Sequence, residues 1–272
     1  MDRGKRCAGG TRSYGNAPLY RAPQSEESEE TDGSMSRYLV ATATYNEMEN
    51  LPDLVQKIRE SLPDADILVV DDGSPDGTGG WADWKAREDA HFFLIERGSK
   101  QGLGTAVLDA FRFSLEGSYD FLVNLDADFS HPPEMIPRLV EIAEREKIDV
   151  VIGSRYVRGG KVVGWPLRRR MMSRGINLFA RLVLRLSTKD NSGAMRCYRV
   201  ETLRQLDFSL IRSRGYSFFE EILFRLKEVG ATFREVPITF TDRVRGSSKI
   251  NRKEAVRALW LLLRIGLERM RR

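Results

Sequence analysis

From Tyr38 onward the chain alternates short, nearly continuous apolar runs with stretches whose apolar residues recur at helical spacing, and few folds accept that order. YLVATAT, DILVVD, HFFLIE, YDFLVNLD and DVVIG read as strands, being too short for independent helices and too apolar for a sheet with one wet face. Between them Leu51, Leu54, Val55, Ile58 and Leu62 fall at helical spacing, as do Val107, Ala110 and Phe111. Strands buried on both sides and separated by amphipathic helices imply an open, mostly parallel α/β sheet with helices on both faces. After about residue 155 the pattern becomes more helical and more basic, with strands expected near AMRCYR and EVPITF. That half reads as an extension of the same domain.

Residues 1–35 lack periodicity and include the acidic run SEESEETD, so a disordered tail is expected there. The folded domain is expected over 36–250, with a basic amphipathic helix over 251–272. Hydrophobic residues at 41% suffice for a sizeable core, and the net charge of +5 favours an anionic partner. Cys7 and Cys197 alone cannot make a disulfide framework or a Cys-rich metal site, which fits a reducing, cytoplasmic setting. His91 and His131 are too few for a multi-histidine centre. No run reaches the roughly 18–20 apolar residues of a membrane span. The closest, Ala258 to Leu267, is broken by Arg264, and the polar N-terminal segment is no secretory signal. Any meeting with a membrane is expected at its surface.

In open α/β sheets ligands sit beyond the carboxyl ends of the strands, and here polar residues collect at those ends. The first strand runs into Thr44-Tyr45-Asn46-Glu47, the second into Asp71-Asp72-Gly73-Ser74, and another into Asp126-Ala127-Asp128. DDGS alone is equally an ordinary turn. Asp126 and Asp128 say more, because two acids emerging from an apolar strand can share one hard divalent cation and leave positions for phosphate oxygens and water. The bland alternative is that Asp128 or Ser130 caps the helix begun by Pro132-Pro133. Lys100-Gln101-Gly102-Leu103-Gly104-Thr105 precedes a helix and can bring N–H groups to an anion. It is not a phosphate-binding Walker loop, and no Gly-x-Gly-x-x-Gly follows the first strand, which argues against a dinucleotide oxidoreductase.

TYNE, VVDDGSPDGT, GLGTA, DADFSHPP, IGSRYVRGG and DRVRGSSK, in that order, resemble the dolichyl-phosphate or polyprenyl-phosphate mannose synthases among the inverting family 2 glycosyltransferases. The likeness runs from about Tyr38 to Lys249. It implies a GT-A fold, GDP-mannose as donor, and a divalent cation, Mg or Mn. It further implies that Thr44, Tyr45, Glu47, Val70 and Asp72 hold the nucleoside side of the donor. Asp126, Ala127 and Asp128 would surround metal and diphosphate, with Asp126 and Asp128 as the metal ligands. Arg155, Arg243 and Lys249 match basic positions that contact phosphates, so Asp128, Arg155 and Arg243 are the expected catalytic set. Two positions depart from the pattern: Ala43 stands where the family has Pro before TYNE, and Ser130 where some relatives place Gln.

Two basic stripes address the acceptor independently. Arg170, Arg174, Arg181 and Arg185 are spaced 4, 7 and 4 apart, which places them on one helical face with Met171, Leu178, Phe179 and Leu182 on others. Arg257, Arg264 and Arg271 recur every seven residues against Leu, Ile and Trp260. Both fit helices lying in a membrane interface, and both also fit helices packed on a sheet with solvated charges, while the second further fits a coiled-coil or partner helix. A lipid monophosphate is already ionised near neutral pH and needs no general base, only cations to orient it, for which Arg155, Arg168, Arg169 and Lys249 are candidates. Glu220 or Glu221 would be the base if the acceptor were a hydroxyl. The expected function is therefore inverting transfer of mannose from GDP-mannose to a polyprenyl or dolichyl phosphate at the cytoplasmic face of a membrane. The alternatives are a related enzyme using another nucleotide sugar such as UDP-glucose, a nucleotidyltransferase, or a non-catalytic nucleotide-sugar-binding module at a membrane surface. No aromatic-basic motif supports nucleic-acid binding.

Overall fold

A computed structural model describes residues 36–243 and 252–269; the expected tail over 1–35, Cys7, Lys249, Arg271 and the side chain of Arg257 lie outside the described residues. The first half runs β1 (Tyr38–Thr44), α1 (Leu51–Ser61), β2 (Asp66–Asp71), α2 (Thr78–Glu88), β3 (Phe92–Glu96), α3 (Leu103–Glu116) and β4 (Phe121–Asp126). A 3-10 turn at Pro133–Met135 leads into α4 (Ile136–Arg145), β5 (Val150–Ser154), β6 (Lys161–Val163) and α5 (Leu167–Val183). The chain continues through β7 (Arg196–Arg199), α6 (Val200–Arg204), a 3-10 turn at Phe208–Leu210, α7 (Phe218–Glu228), β8 (Phe233–Pro237), β9 (Thr239–Thr241) and α8 (Arg252–Arg269).

The main sheet has the order β3-β2-β1-β4-β7-β5-β8, parallel throughout except for β7, and β6 pairs with β9 in a small second sheet. Side chains two apart share a face, so each apolar strand feeds two cores. Leu39, Ala41, Leu68 and Val70 pack toward α3, α6, α7 and α8, while Val40, Ile67, Val69 and Val123 pack toward α1 and α4. These are the strands and the two-sided burial expected from the apolar runs.

The register decides where the polar ends meet. Ala43 lies beside Val70 on one side and Asp126 on the other, and Thr44 lies beside Asp71. The first, second and fourth strands thus end nearly level. Strand β7 runs the other way, with Arg196 opposite both Asn124 and Ile152, so the segment entering it arrives at that same edge. The antiparallel insertion, not any local motif, brings residues 188–195 to the acids.

The C-terminal helix is part of the same body. Leu262 and Ile265 are buried in the core, and a Cβ on Gly266 would lie 2.6 Å from Val183 Cγ1, so α8 and α5 touch backbone to side chain. The described part of the expected basic amphipathic helix closes one face of the domain, while Trp260, Leu263 and Leu267 remain on its outside. Among the described residues no helix is long and apolar enough to cross a membrane.

Candidate active site

Asp126 ends β4, and the two residues that follow turn the chain away from the sheet. Phe129 takes a left-handed φ of +57°, costly for a bulky side chain and a mark of a constrained turn. Asp128 is buried; its Oδ1 accepts the Ser130 N–H at 3.1 Å and its Oδ2 lies 3.3 Å from Arg243 Nη2. The helix-cap alternative fails here: the 3-10 turn is capped by Pro132 without any side-chain hydrogen bond. Burial, with the neighbouring Asp128 charge second, pushes the Asp126 carboxyl above the usual carboxylate range, although a third of its side chain reaches solvent.

The first two strand ends are tied together. Thr44 Oγ1 and Ser74 Oγ both donate to Asp71 Oδ1, at 2.7 and 2.6 Å, and the Asn46 N–H donates to Ser74 Oγ. Glu47 and Met48 N–H groups donate to Thr78 Oγ1 and Asp76 Oδ2. TYNE and DDGSPDGT therefore form one interlocked wall, with Asp71 as its hinge pin. Thr44 faces Asp71 instead of a ligand, and the Val70 side chain is buried in the core, so only its backbone can meet a nucleoside. Tyr45 presents its ring with Lys100 Nζ 4.2 Å from the centroid, a shelf suited to a flat base. The Glu47 carboxylate accepts from Asn50 Nδ2.

Asp72 has a partner that the sequence reading missed. Arg97, just past β3 and 2% exposed, places Nη1 2.9 Å from Asp72 Oδ1, with Asp109 and Thr105 on its other nitrogens. A lone arginine after an apolar strand gives no local signal of this; parallel pairing of β2 with β3 supplies it. The Gly102 N–H points at Asp72 Oδ2, and the Gly104 N–H is bonded to the Arg214 carbonyl. These two amides of the GLGT segment thus serve the protein, which corrects the expectation that they are offered to an anion. A Cβ on Gly102 would lie 2.4 Å from the Arg214 carbonyl oxygen, which explains the glycine.

Arg155 is brought to the site but not to its surface. It is 7% exposed, its Nε and Nη2 fork onto Asp190 at 2.8 and 2.6 Å, and its own N–H donates to the same carboxylate. Rings of Tyr156, Trp165 and Phe240 surround the guanidinium at 5.2–5.7 Å. The Asp190 charge raises the Arg155 pKa against the cost of burial, and Arg155 in turn holds Asp190 below the usual carboxylate range. The expected open phosphate contact is thus a buried fixed cation, felt by Asp126 through space. Asp190 sits in KDNSGA, where nothing in the sequence marks it.

The remaining basic candidates divide. Arg168 is exposed at the start of α5, whereas Arg169 stacks on Trp165 at 4.1 Å and bonds Asp242 at 2.9 Å. On α5 the outward residues are mixed: Arg174 and Arg181 are exposed, but so are Met171, Leu178 and Leu182, while Asn177 and Ala180 face inward. Arg185 lies beyond the helix end with φ +52°, so the four-arginine face is shorter than its spacing suggested.

Glu221 is fully buried and accepts the Arg212 and Ser213 N–H groups, which makes it a brace for the loop before α7. Glu220 is also buried, and desolvation pushes it from 4.5 up to about 7. Because its folded pKa exceeds its unfolded one, folding is favoured below about 4.5, and that advantage is lost as pH rises toward 7, by roughly 3 kcal/mol in all. Glu220→Gln is therefore expected to melt at a higher temperature than the parent at pH 8 and at a similar one at pH 4.5. Equal melting of parent and variant at pH 8 would remove the burial argument.

The residues suit a hard divalent cation. Two carboxylates of like charge stand one residue apart, and close by Ser130 Oγ and both His131 nitrogens are buried without hydrogen-bond partners. Among the described residues no cluster of three or more His, Cys, Asp or Glu groups forms, so the protein's share would be the two acids and the rest would come from donor phosphate and water.

Comparison with known proteins agrees with this architecture. The sequence model of Glycosyl transferase family 2 matches residues 39–207. An undecaprenyl-phosphate mannosyltransferase of Micrococcus luteus is 46% identical over 215 residues, 79% of this chain and 88% of that protein. A polyprenol monophosphomannose synthase of Mycolicibacterium smegmatis is 42% identical over 232 residues, 85% of this chain and 87% of that one. In structure the chain is similar to glucosyl-3-phosphoglycerate synthase from Mycobacterium tuberculosis in complex with Mn2+ and UDP-glucose, with a TM-score of 0.59, 19% identity, and coverage of 86% of this chain and 79% of that one. The motif resemblance and the GT-A-like sheet are both matched, and the nucleotidyltransferase alternative falls away: the chain belongs to glycosyl transferase family 2.

Proposed function

We propose that this enzyme transfers mannose from GDP-mannose to a polyprenyl or dolichyl phosphate, with inversion, while resting on the cytoplasmic face of a membrane. The observation that carries the reading is the Asp126, Asp128 and Arg243 cluster at the strand edge, where two acids and one partly exposed arginine meet. The names of the two relatives support the sugar and the lipid acceptor. A divalent cation, Mg or Mn, held by Asp126 and Asp128 would supply charge neutralisation for the departing nucleoside diphosphate.

The chain's own residues account for the rest. Tyr45 with Lys100 and the braced Asp72 form the wall for the nucleoside, joined by Glu47 and the Thr44 and Val70 backbone. Arg243, a quarter exposed beside Asp128, is placed to meet phosphate oxygens. Arg155 adds fixed positive charge from below. Lys249, Arg168 and Arg169 remain the proposed acceptor-side cations. The two carboxylates available as a base for a hydroxyl acceptor are both buried, which favours an acceptor that arrives ionised. Leu167, Met171, Leu178 and Leu182 stand exposed among arginines on α5, with Trp260 and Leu267 on α8, a surface suited to an anionic lipid interface.

Calorimetry tests the donor: GDP-mannose should bind at least a few-fold more tightly than UDP-glucose in the presence of Mn2+. The reverse preference would move the enzyme to the glucosyl alternative. Arg243→Ala should lower turnover roughly tenfold or more, because a lost charged hydrogen bond is worth about 1.5–3 kcal/mol. Arg138→Ala, which breaks only an exposed pair with Glu141, is the control and should change little. Equal small effects from both would reduce Arg243 to ordinary surface.

A further inference from the structure

His131 stands beside the candidate cation site with no role assigned to it, and its surroundings are unusual. It is 1% exposed, and neither ring nitrogen has a hydrogen-bond partner. Buried polar groups are rarely left so, and one beside a cluster of acids calls for a reason. Its Nδ1 lies 3.5 Å from Asp126 Oδ2, outside hydrogen-bond range but within reach of a modest carboxylate rotation. The ring cannot turn freely toward another partner, because it stands edge-on against Phe240 with centroids 5.1 Å apart at 85°.

The order of burial settles which side of Asp126 the imidazole occupies. A third of the Asp126 side chain meets solvent, and His131 meets almost none, so the ring stands behind the carboxylate. A cation arriving with a diphosphate must come from the open side. Carboxylates that bind metals are commonly held by such an outer hydrogen bond, which fixes the lone pairs that face the ion. We propose that His131 is a positioning residue whose Nδ1–H holds the Asp126 carboxylate in the orientation that receives the cation. This role rests on the metal-dependent reading above.

The test uses the full chain, titrated with Mn2+ alone and again with GDP present, and followed by the electron paramagnetic resonance of free Mn2+. His131→Phe keeps the ring shape and removes the N–H; its Mn2+ dissociation constant should rise roughly 10–100-fold over the parent's. Its melting temperature in chelator should be no lower than the parent's, because an unpaired polar group has left the core. A histidine that only fills space would show the opposite, a lower melting temperature with unchanged Mn2+ affinity. If the phenylalanine variant does not fold, His131→Met, also without an N–H, carries the same expectation. Parent and variant binding Mn2+ within twofold of each other would overturn the role while leaving the metal reading intact. Direct nitrogen coupling to bound Mn2+ in pulsed resonance would overturn it too, by making His131 a ligand. Failure of the parent itself to bind Mn2+, both alone and with GDP present, would overturn the metal reading and this role together.

Discussion

Asp128→Asn should reduce sugar transfer on the order of a thousandfold, since charge neutralisation by a cation is worth several kcal/mol and each ~1.4 kcal/mol is tenfold in rate. The substitution keeps the side chain's size and its acceptor oxygen for the Ser130 N–H, and it relieves like-charge crowding with Asp126. The fold should therefore survive, with a melting temperature in chelator near the parent's. What disappears is the second proposed anionic ligand and the charge opposite Arg243. Turnover with labelled GDP-mannose and polyprenyl phosphate, across a titration of Mn2+ and of Mg2+, reads this out. Near-parental rates in the variant, or a parent that works equally well in chelator, would show that the acids do not act through a metal.

The second large effect concerns stability. In Asp190→Asn the Arg155 guanidinium stays buried without a counter-charge, a change that typically costs about 3–5 kcal/mol. For a chain of this size that is a fall in melting temperature on the order of 10 °C. Asp190 also accepts the N–H groups of Arg155 and Gly193, so the turn as well as the charge is affected. A paired replacement, Arg155→Met with Asp190→Leu, should recover part of the lost stability, because a buried ion pair is often no better than apolar packing. Turnover should not recover with it, since the fixed charge near Asp126 is gone. A single variant within about 1 kcal/mol of the parent by urea unfolding would mean that the pair is solvated and that its geometry matters little.

Some of this was legible in one dimension. The apolar runs specified β1, β2, β3, β4 and β5, because strands buried on both faces cannot carry polar alternation and the helices between them must cover both sides. The polar strand ends were legible too: Asp126 and Asp128 appear where an apolar strand stops, and the register then sets Thr44, Asp71 and Asp126 side by side. Pattern alone could not decide whether the arginines of α5 and α8 face outward. Helical spacing fixes which residues share a face, but not which face the core takes, and α8 turned Leu262 and Ile265 inward against α5 and α7.

What the amino-acid order by itself determined is the sheet, its polar edge and the pair of acids, since each follows from local periodicity and from where apolar runs end. The partners of those groups were decided only by tertiary structure. Arg97 reaches Asp72 across the β2–β3 pairing, Asp190 reaches Arg155 because β7 enters the sheet antiparallel, and His131 reaches Asp126 because the turn after β4 folds back under it. The Arg97–Asp72 and Arg155–Asp190 pairs lie 25 and 35 residues apart in sequence, and even His131, five residues from Asp126, depends on that turn. Charge–charge and hydrogen-bond energies depend on distance in space and on burial, and neither quantity exists until the strands have chosen their neighbours.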